Sequence, residues 1–261
     1  MQIRKSSLNH DNLLVARAYE ELAYATYVYQ YNRGHFDNAR HSAETALSIM
    51  NRIIPSNHLL VASAQRVLAL ILEEIAIDLT DKTKSDNMLA RAEELHLSAV
   101  RLSIGAFGEK NVQTAKHYGN LGRLYQTMER YEEAEQMHLK AIGIKENLLG
   151  EDDYEVALSI GHLASLYNYD LNQYDNAEPL YLRSISICHR LFGPSYSGLE
   201  YDYRGLIRIY DETGDWVNFN KYVYLLRDWT DLKREKDVPG LEAVSSPKQP
   251  MLHILQMIKS T

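Results

Sequence analysis

The side chains that could bind a metal or take part in catalysis are scattered along the sequence. Ten histidines and a single cysteine, Cys188, occur among the 261 residues. No two histidines have the H-x-x-x-H spacing that would place two metal ligands on one helix face. His96 and His138 occupy equivalent positions in two sequence repeats, which is typical of packing. Cys188 stands between apolar residues, where a buried, inert thiol is the default interpretation. We therefore expect neither a metal site nor a catalytic thiol.

Other candidate catalytic motifs are incomplete. Residues 193–197 read GPSYS, which approximates the turn of a serine nucleophile but lacks its final glycine. The acidic pairs Glu73-Glu74 and Glu132-Glu133 fit loops and helix starts, where carboxylates favour the helix dipole. No glycine-rich phosphate-binding motif follows a strand. These patterns predict a protein that is not an enzyme and needs no cofactor.

Composition narrows the possible partners. Lys and Arg number 28 and Asp and Glu 35, so the formal net charge is −7, which argues against a general binder of nucleic-acid phosphates. Tyrosines and arginines alternate over residues 196–210 and could stack on bases, but the acidic charge makes nucleic acid the weaker interpretation. One cysteine excludes an internal disulfide and indicates a reducing, cytoplasmic compartment. No apolar run is long enough to span a membrane.

An internal repeat determines which elements position the remaining polar residues. Residues 115–147 and 157–190 follow the same pattern at an offset of 42, which rises to 43 after one extra residue that we place near 171–173. Apolar residues recur at helical spacing within each copy, and small residues mark where two helices cross. The aligned pairs include Leu121 with Leu163, Tyr125 with Tyr167, Tyr131 with Tyr174 and Ala134 with Ala177.

The repeat extends along most of the chain. Its anchor residues Ala39, Ala92, Ala134, Ala177 and Phe219 are spaced by 53, 42, 43 and 42 residues, and we assign the 11 extra residues of the first interval to a loop around 77–88. Neither helix of a unit can bury its apolar stripe alone, so the units must stack. The prediction is an all-α, right-handed superhelical solenoid over residues 1–233. Its five helical hairpins are expected at about 13–52, 57–104, 111–147, 153–191 and 196–233.

Residues 234–261 break this pattern. Pro239-Gly240 and Ser245-Ser246-Pro247 are turn signals, so the sequence predicts a flexible C-terminal tail. Residues 250–259 have apolar positions at helical spacing. They could form a short helix that caps the end of the stack, or a peptide that binds a partner.

Stacked hairpins curve, and their first helices line the concave wall. Polar residues that lie between the packing positions of these helices are therefore candidates for a peptide-binding groove. An asparagine can pair with a peptide backbone amide, and an arginine can hold a carboxylate through two hydrogen bonds. The alternative is that these residues are simply solvated helix faces. The predicted groove residues are Lys116, Asn120, Arg123, His162, Tyr201, Arg204 and Arg208.

The order L-[GA]-x-x-Y, then Y-x-x-A, then A resembles the tetratricopeptide repeat. The longer period, with FGE at 107–109, LGE at 149–151 and FGP at 192–194, resembles the repeats of kinesin light chains. The strings HYGNLGRLY (117–125) and YSGLEYDYRGLI (196–207), together with residues 151–178, resemble a family of tetratricopeptide substrate receptors. That resemblance implies a cullin-2 RING ubiquitin ligase with elongins B and C as partners. It also implies an association with microtubules and with the cytoplasmic tail of the amyloid precursor protein.

Members of that family are much longer and carry an elongin-contacting box near the N-terminus. The opening MQIRKSSLNHDNLLVARAYEEL does not match that box, so we expect the chain to correspond to a C-terminal portion or to an incomplete gene product. Two functions remain open. One is a substrate-recognition module for ubiquitination that binds a short peptide, and the other is a microtubule-associated cargo adaptor in intracellular transport. Both imply a cytoplasmic protein, with cytoskeletal and nuclear association as further expectations.

Overall fold

The computed structural model of the chain describes residues 12–30 and 34–236. This part contains ten α-helices, one π-helical turn and no strand, so the predicted all-α class is confirmed. The helices are α1 (Leu13–Gln30), α2 (Asp37–Ile53), α3 (Leu59–Asp78), α4 (Lys82–Phe107), α5 (Val112–Thr127), α6 (Tyr131–Leu149), α7 (Tyr154–Ser165) with the π-turn Leu166–Asp170, α8 (Tyr174–Phe192), α9 (Leu199–Thr213) and α10 (Trp216–Lys236).

The chain divides into two compact units, Met1–Leu191 and Phe192–Thr261. The first unit contains α1 to α7 and nearly all of α8, and the second contains α9 and α10. One continuous solenoid over 1–233 therefore stays a prediction. The tail from residue 237 onward, with the predicted short helix at 250–259, lies outside the described residues.

Consecutive helices of the first unit pair into helical hairpins, and these hairpins stack on one another. Helix α1 packs against α2 and α3, and α3 packs against α4 and α5. The anchor alanines Ala39, Ala92, Ala134 and Ala177, one on each second helix, are completely buried. A methyl side chain at each of these positions lets two helix backbones approach closely, which explains why the repeat keeps a small residue there.

Helix ends follow the local sequence signals. Asn111 begins α5 by accepting the backbone N–H of Gln113 at 2.8 Å, and Asp153 begins α7 by accepting that of Glu155 at 2.8 Å. Helices α4 and α6 end at Gly108 and Gly150, whose φ angles are +81° and +88°. Because only glycine adopts this conformation without strain, the recurring glycine after an apolar residue is the predicted helix cap.

The second unit is held by its aromatic side chains. Tyr222 of α10 packs between Tyr203 and Tyr210 of α9, with ring centroids 6.0 and 5.6 Å apart. The indole N–H of Trp229 donates to the backbone carbonyl of Tyr196 at 2.8 Å. These contacts join the two helices into a hairpin.

The prediction of a loop around 77–88 is wrong. Helix α3 continues to Asp78 and α4 already begins at Lys82, so the extra residues lengthen both helices to 20 and 26 residues. The segment is polar, but its polar groups stabilise the start of a helix. The Asp81 carboxylate accepts the backbone N–H of Lys84, and the Ser85 hydroxyl donates to the carbonyl of Ala76.

The single extra residue of the fourth repeat is also placed differently from the prediction. The connections 128–130 and 171–173 both have three residues, whereas α5 has 16 residues and the matching stretch of α7 with its π-turn, 154–170, has one more. The widened turn at Leu166–Asp170 therefore contains the insertion, because a π-turn adds one residue to a helix without ending it.

Gly122 is the tightest glycine position in this stack. A Cβ atom there would lie 2.9 Å from Cε1 and Nε2 of His138 on the neighbouring helix α6. We expect Gly122→Ala to lower the free energy of unfolding by about 1–3 kcal/mol, because overpacking against a buried ring outweighs the better helix propensity of alanine.

Gly119→Ala is the matched control in the same helix, since a Cβ at Gly119 meets no atom within 4 Å. Urea unfolding of both variants tests the expectation. Equal stability of the two variants would contradict it.

Candidate functional site

A cavity of about 560 Å³ opens in the first unit on the side formed by the first helices of successive hairpins. Its walls come mainly from α3, α5 and α7, with contributions from α1, α4 and α6. Four cationic side chains and one carboxylate line it, namely Arg66, Lys116, Arg123, Lys145 and Glu155. The cavity is therefore positively charged in a chain whose net charge is −7.

Four of the predicted groove residues line this cavity: Lys116, Asn120, Arg123 and His162. The other three, Tyr201, Arg204 and Arg208, lie on α9 of the second unit. There Tyr201 is exposed, and Arg204 pairs with Glu200 one turn earlier at 2.8 Å.

Arg123 is engaged by the protein itself. Its guanidinium lies 3.3 Å from Oε1 of Glu73 and 3.8 Å from Oε1 of Glu74 on α3. Glu73 is only 2% exposed, and its Oε1 also accepts the Thr127 hydroxyl at 3.1 Å. Burial and the charge of Glu73 raise the pKa of Glu74. Arg123 thus compensates a buried carboxylate and joins α3 to α5.

Glu155 accepts two lysines at the other end of the cavity. Lys116 Nζ lies 2.6 Å from one carboxylate oxygen and Lys145 Nζ lies 3.1 Å from the other. Lys145 is almost completely buried and also donates to the Ser159 hydroxyl at 2.8 Å. Burial lowers the pKa of Lys145. Burial alone would raise the pKa of Glu155, but the hydrogen bonds and charges of the two lysines lower it.

Two side chains that line the cavity have polar groups with no ion-pair or hydrogen-bond partner in the described chain. Arg66 contacts the ring of Tyr24 at 5.7 Å but pairs with no carboxylate among residues 12–30 and 34–236. The half-buried amide of Asn120 likewise has no hydrogen-bond partner in that part of the chain. These donors are available to a bound molecule.

The cavity also contains Arg66, Lys145 and Glu155, which are not among the predicted groove residues. Arg66 lies on the first helix of the second hairpin, where the repeat pattern is weak, so its orientation toward the groove could not be inferred. Lys145 lies on a second helix, a class of position that we did not consider for the groove.

Four histidines lie at the wall of the cavity or are buried behind it. His117 and His162 line the cavity, and His96 and His138 are completely buried on the second helices α4 and α6. The rings of His138 and His162 stack with centroids 6.2 Å apart. Burial, reinforced by nearby cations, lowers the pKa of His96 and His162 to about 3 and of His117 and His138 to about 4. All four are neutral at pH 7, so lysine and arginine alone supply the positive charge.

Within 12–30 and 34–236, no group of three or more His, Cys, Asp or Glu side chains could hold a metal ion. None of the helices in the same ranges is long and apolar enough to cross a bilayer.

Comparisons with known proteins identify the repeat. Two tetratricopeptide-repeat family models match residues 86–147 and 156–195. The fold is similar to that of a putative kinesin light chain from Podospora anserina, at 18% identity and a TM-score of 0.60 over 83% of this chain and 95% of that one. It is also similar to BtubC of P. vanneervenii, at 17% identity and a TM-score of 0.61 over 91% and 94% of the two chains. Both likenesses concern the fold alone.

Close relatives exist among curated proteins. The chain is 57% identical over 258 residues to amyloid protein-binding protein 2 of Mus musculus and, equally, of Rattus norvegicus. These alignments cover 98% of this chain and 44% of each relative, so the chain spans less than half of their length. The resemblance inferred from the sequence motifs is confirmed. The chain is thus a tetratricopeptide-repeat protein that is similar, over nearly all of its residues, to amyloid protein-binding protein 2.

Proposed function

We propose that the chain is a non-enzymatic scaffold that binds a short, extended peptide in the cavity of its first unit. The observation that supports this proposal is the pair of unused donors, Arg66 and Asn120, on a wall built from successive first helices. An extended peptide exposes one amide group per residue, and a carboxamide such as that of Asn120 can both donate to and accept from it. Arg66 adds an anchor for an anionic group.

The wider role that we propose is substrate recognition for a cullin-2 RING ubiquitin ligase through elongins B and C. Support comes from the identity to amyloid protein-binding protein 2 and from the resemblance of residues 117–125, 151–178 and 196–207 to the receptor family. The name of that relative also makes the cytoplasmic tail of the amyloid precursor protein the first peptide to test.

The alternative function is a microtubule-associated cargo adaptor in intracellular transport. It is favoured by the likeness to a putative kinesin light chain, which concerns the fold. A cytoplasmic location with cytoskeletal or nuclear association belongs to these proposals. The predicted groove residues of α9, Tyr201, Arg204 and Arg208, stay candidates for a separate peptide contact within the second unit.

The groove is tested with fluorescent peptides that tile the tail of the amyloid precursor protein, measured by fluorescence polarisation. We expect Asn120→Leu to weaken binding about tenfold, since a lost hydrogen bond in a partly buried site costs about 1–1.5 kcal/mol. Asn147→Leu is the control, because Asn147 is an exposed asparagine of α6 outside the cavity. Binding that is unaffected by Asn120→Leu, or absent for every peptide, contradicts the proposal for this partner.

Co-elution on gel filtration separates the two wider roles. A complex with elongin B, elongin C and cullin-2 supports the receptor, and co-sedimentation with microtubules supports the adaptor.

A further inference from the structure

We propose that the cavity recognises a dianionic side chain, namely a phosphorylated serine or threonine of the bound peptide. This inference rests on the proposed peptide-binding function and names the chemical class that the cavity selects.

Some cationic side chains of the cavity keep a positive charge after the ion pairs within the chain are counted. Arg123 pairs with two carboxylates, Glu73 and Glu74 of α3, neither of which lines the cavity, so Arg123 adds no free positive charge. Lys116 and Lys145 share the single carboxylate of Glu155, so their pair retains one positive charge.

Arg66 has no carboxylate partner in the described ranges and contributes a second positive charge. Among the lining groups other than Arg123, the three cations Arg66, Lys116 and Lys145 exceed the single carboxylate of Glu155 by two charges, which matches phosphoserine with about −1.5 to −2 at pH 7. A carboxylate side chain would neutralise only half of this excess.

The two uncompensated charges lie on neighbouring first helices and line one cavity. Arg66 belongs to α3 and Lys116 to α5, and both line the cavity together with Lys145. Burial and, after it, the charge of Arg66 lower the pKa of His117, which follows Lys116 in sequence. The three cationic side chains therefore belong to one cavity.

This volume also has room and neutral donors for a phosphate group. Gly119 contributes to the wall, and a side chain built there would meet no atom within 4 Å. The amide of Asn120, one residue further, is unpaired within the described chain. A phosphate presents three acceptor oxygens, so it can take an arginine, a lysine and an amide together.

The partial exposure of these side chains is consistent with an entering ligand. Lys116 is 39% exposed while it pairs with Glu155, so its ammonium can turn toward a dianion without leaving a buried site. Lys145, which is almost completely buried, stays with Glu155 and Ser159. The predicted recognition therefore depends mainly on Arg66 and Lys116.

The test uses degenerate peptide libraries that differ only at one fixed central position, which is phosphoserine, serine or glutamate. The full chain is immobilised, and the amount of each library that it retains at pH 7.4 is measured. We expect at least tenfold more retention of the phosphoserine library than of the serine library, and several-fold more than of the glutamate library.

Arg66→Gln and Lys116→Gln are each expected to abolish most of the phosphoserine preference. Arg101→Gln is the matched control, because Arg101 is an exposed arginine of α4 outside the cavity. Circular dichroism verifies that all three variants remain helical. A second arm adds inorganic phosphate at constant ionic strength, and we expect it to displace the phosphoserine library only at millimolar concentration.

Equal retention of the glutamate and phosphoserine libraries overturns the dianion proposal but leaves the peptide groove intact. Retention of no library overturns the proposed peptide-binding function itself. Efficient displacement by micromolar inorganic phosphate shows a site for the free ion and contradicts recognition of a phosphorylated peptide. A phosphoserine preference that survives both cavity variants places recognition elsewhere and also overturns the proposal.

Discussion

Arg123→Ala is expected to lower the free energy of unfolding of the first unit by about 3–5 kcal/mol, the usual cost of leaving a buried charge without its partner. Glu73 is 2% exposed, and its Oε1 is held by the Arg123 guanidinium at 3.3 Å and the Thr127 hydroxyl at 3.1 Å. Without the guanidinium, one hydroxyl remains to compensate the carboxylate on the buried side of the cavity. Chemical denaturation monitored by far-UV circular dichroism measures the loss.

A double variant separates the ion pair from simple packing. Glu73→Gln with Arg123→Met removes both charges and keeps the side-chain volumes, so it should regain most of the lost stability. Arg101→Ala, an exposed arginine of α4, should change the stability by less than about 0.5 kcal/mol. If the double variant is less stable than Arg123→Ala, the buried carboxylate is not the cause.

This expectation also limits how Arg123 can be used in binding experiments. A truncation at Arg123 would weaken the fold together with any groove, so lost binding would not identify a peptide contact. Asn120, Arg66 and Lys116 are better probes because each is only partly buried, and because none of them compensates a fully buried charge.

The second large effect is a loss of stability in mild acid. The four histidines behind the cavity have pKa values of about 3 to 4 in the folded chain, compared with about 6.5 when unfolded. Below pH 6.5 the unfolded chain takes up protons that the folded chain does not bind, so the free energy of unfolding falls as the pH falls. At pH 5.5 each histidine should cost about 1.4 kcal/mol relative to pH 7.5.

Denaturant unfolding at pH 7.5, 6.5 and 5.5 measures this slope above the ordinary pKa range of carboxylates. Burial is the main cause of the low pKa values of these histidines, and the charges of Arg66, Arg123 and Lys145 add to it. His96→Leu or His138→Leu should each flatten the dependence by about one proton. A wild-type stability that is equal at pH 7.5 and 5.5 would refute the assignment.

The sequence was sufficient for the hairpins because their signal repeats. Ala134 and Ala177 occupy equivalent buried positions, and the glycine caps Gly108 and Gly150 occupy equivalent helix ends. A pattern that appears in several copies can be recognised even when each copy is weak. The segment 77–88 was assigned wrongly because polar residues that cap and begin a long helix have the composition of a loop.

The chemistry of the cavity was less accessible, because it depends on partners far apart in sequence. Arg123 and Glu73 are 50 residues apart, and only the crossing of α3 and α5 brings them together. The sequence correctly suggested that Lys116, Asn120, Arg123 and His162 belong to first helices. It could not reveal which of their charges are neutralised within the chain, and this determines which residues remain available to a ligand.

The π-turn at Leu166–Asp170 shows how one repeat of this architecture can be a residue longer than another. It contains the additional residue of the fourth repeat while the following connection keeps three residues, and the buried Tyr167 and Ala177 still occupy the positions of Tyr125 and Ala134. An insertion that is confined to one widened turn leaves the interval between neighbouring hairpins undisturbed. Repeats of unequal size can therefore alternate in one array, and single-residue length variation need not be confined to the exposed connections between helices.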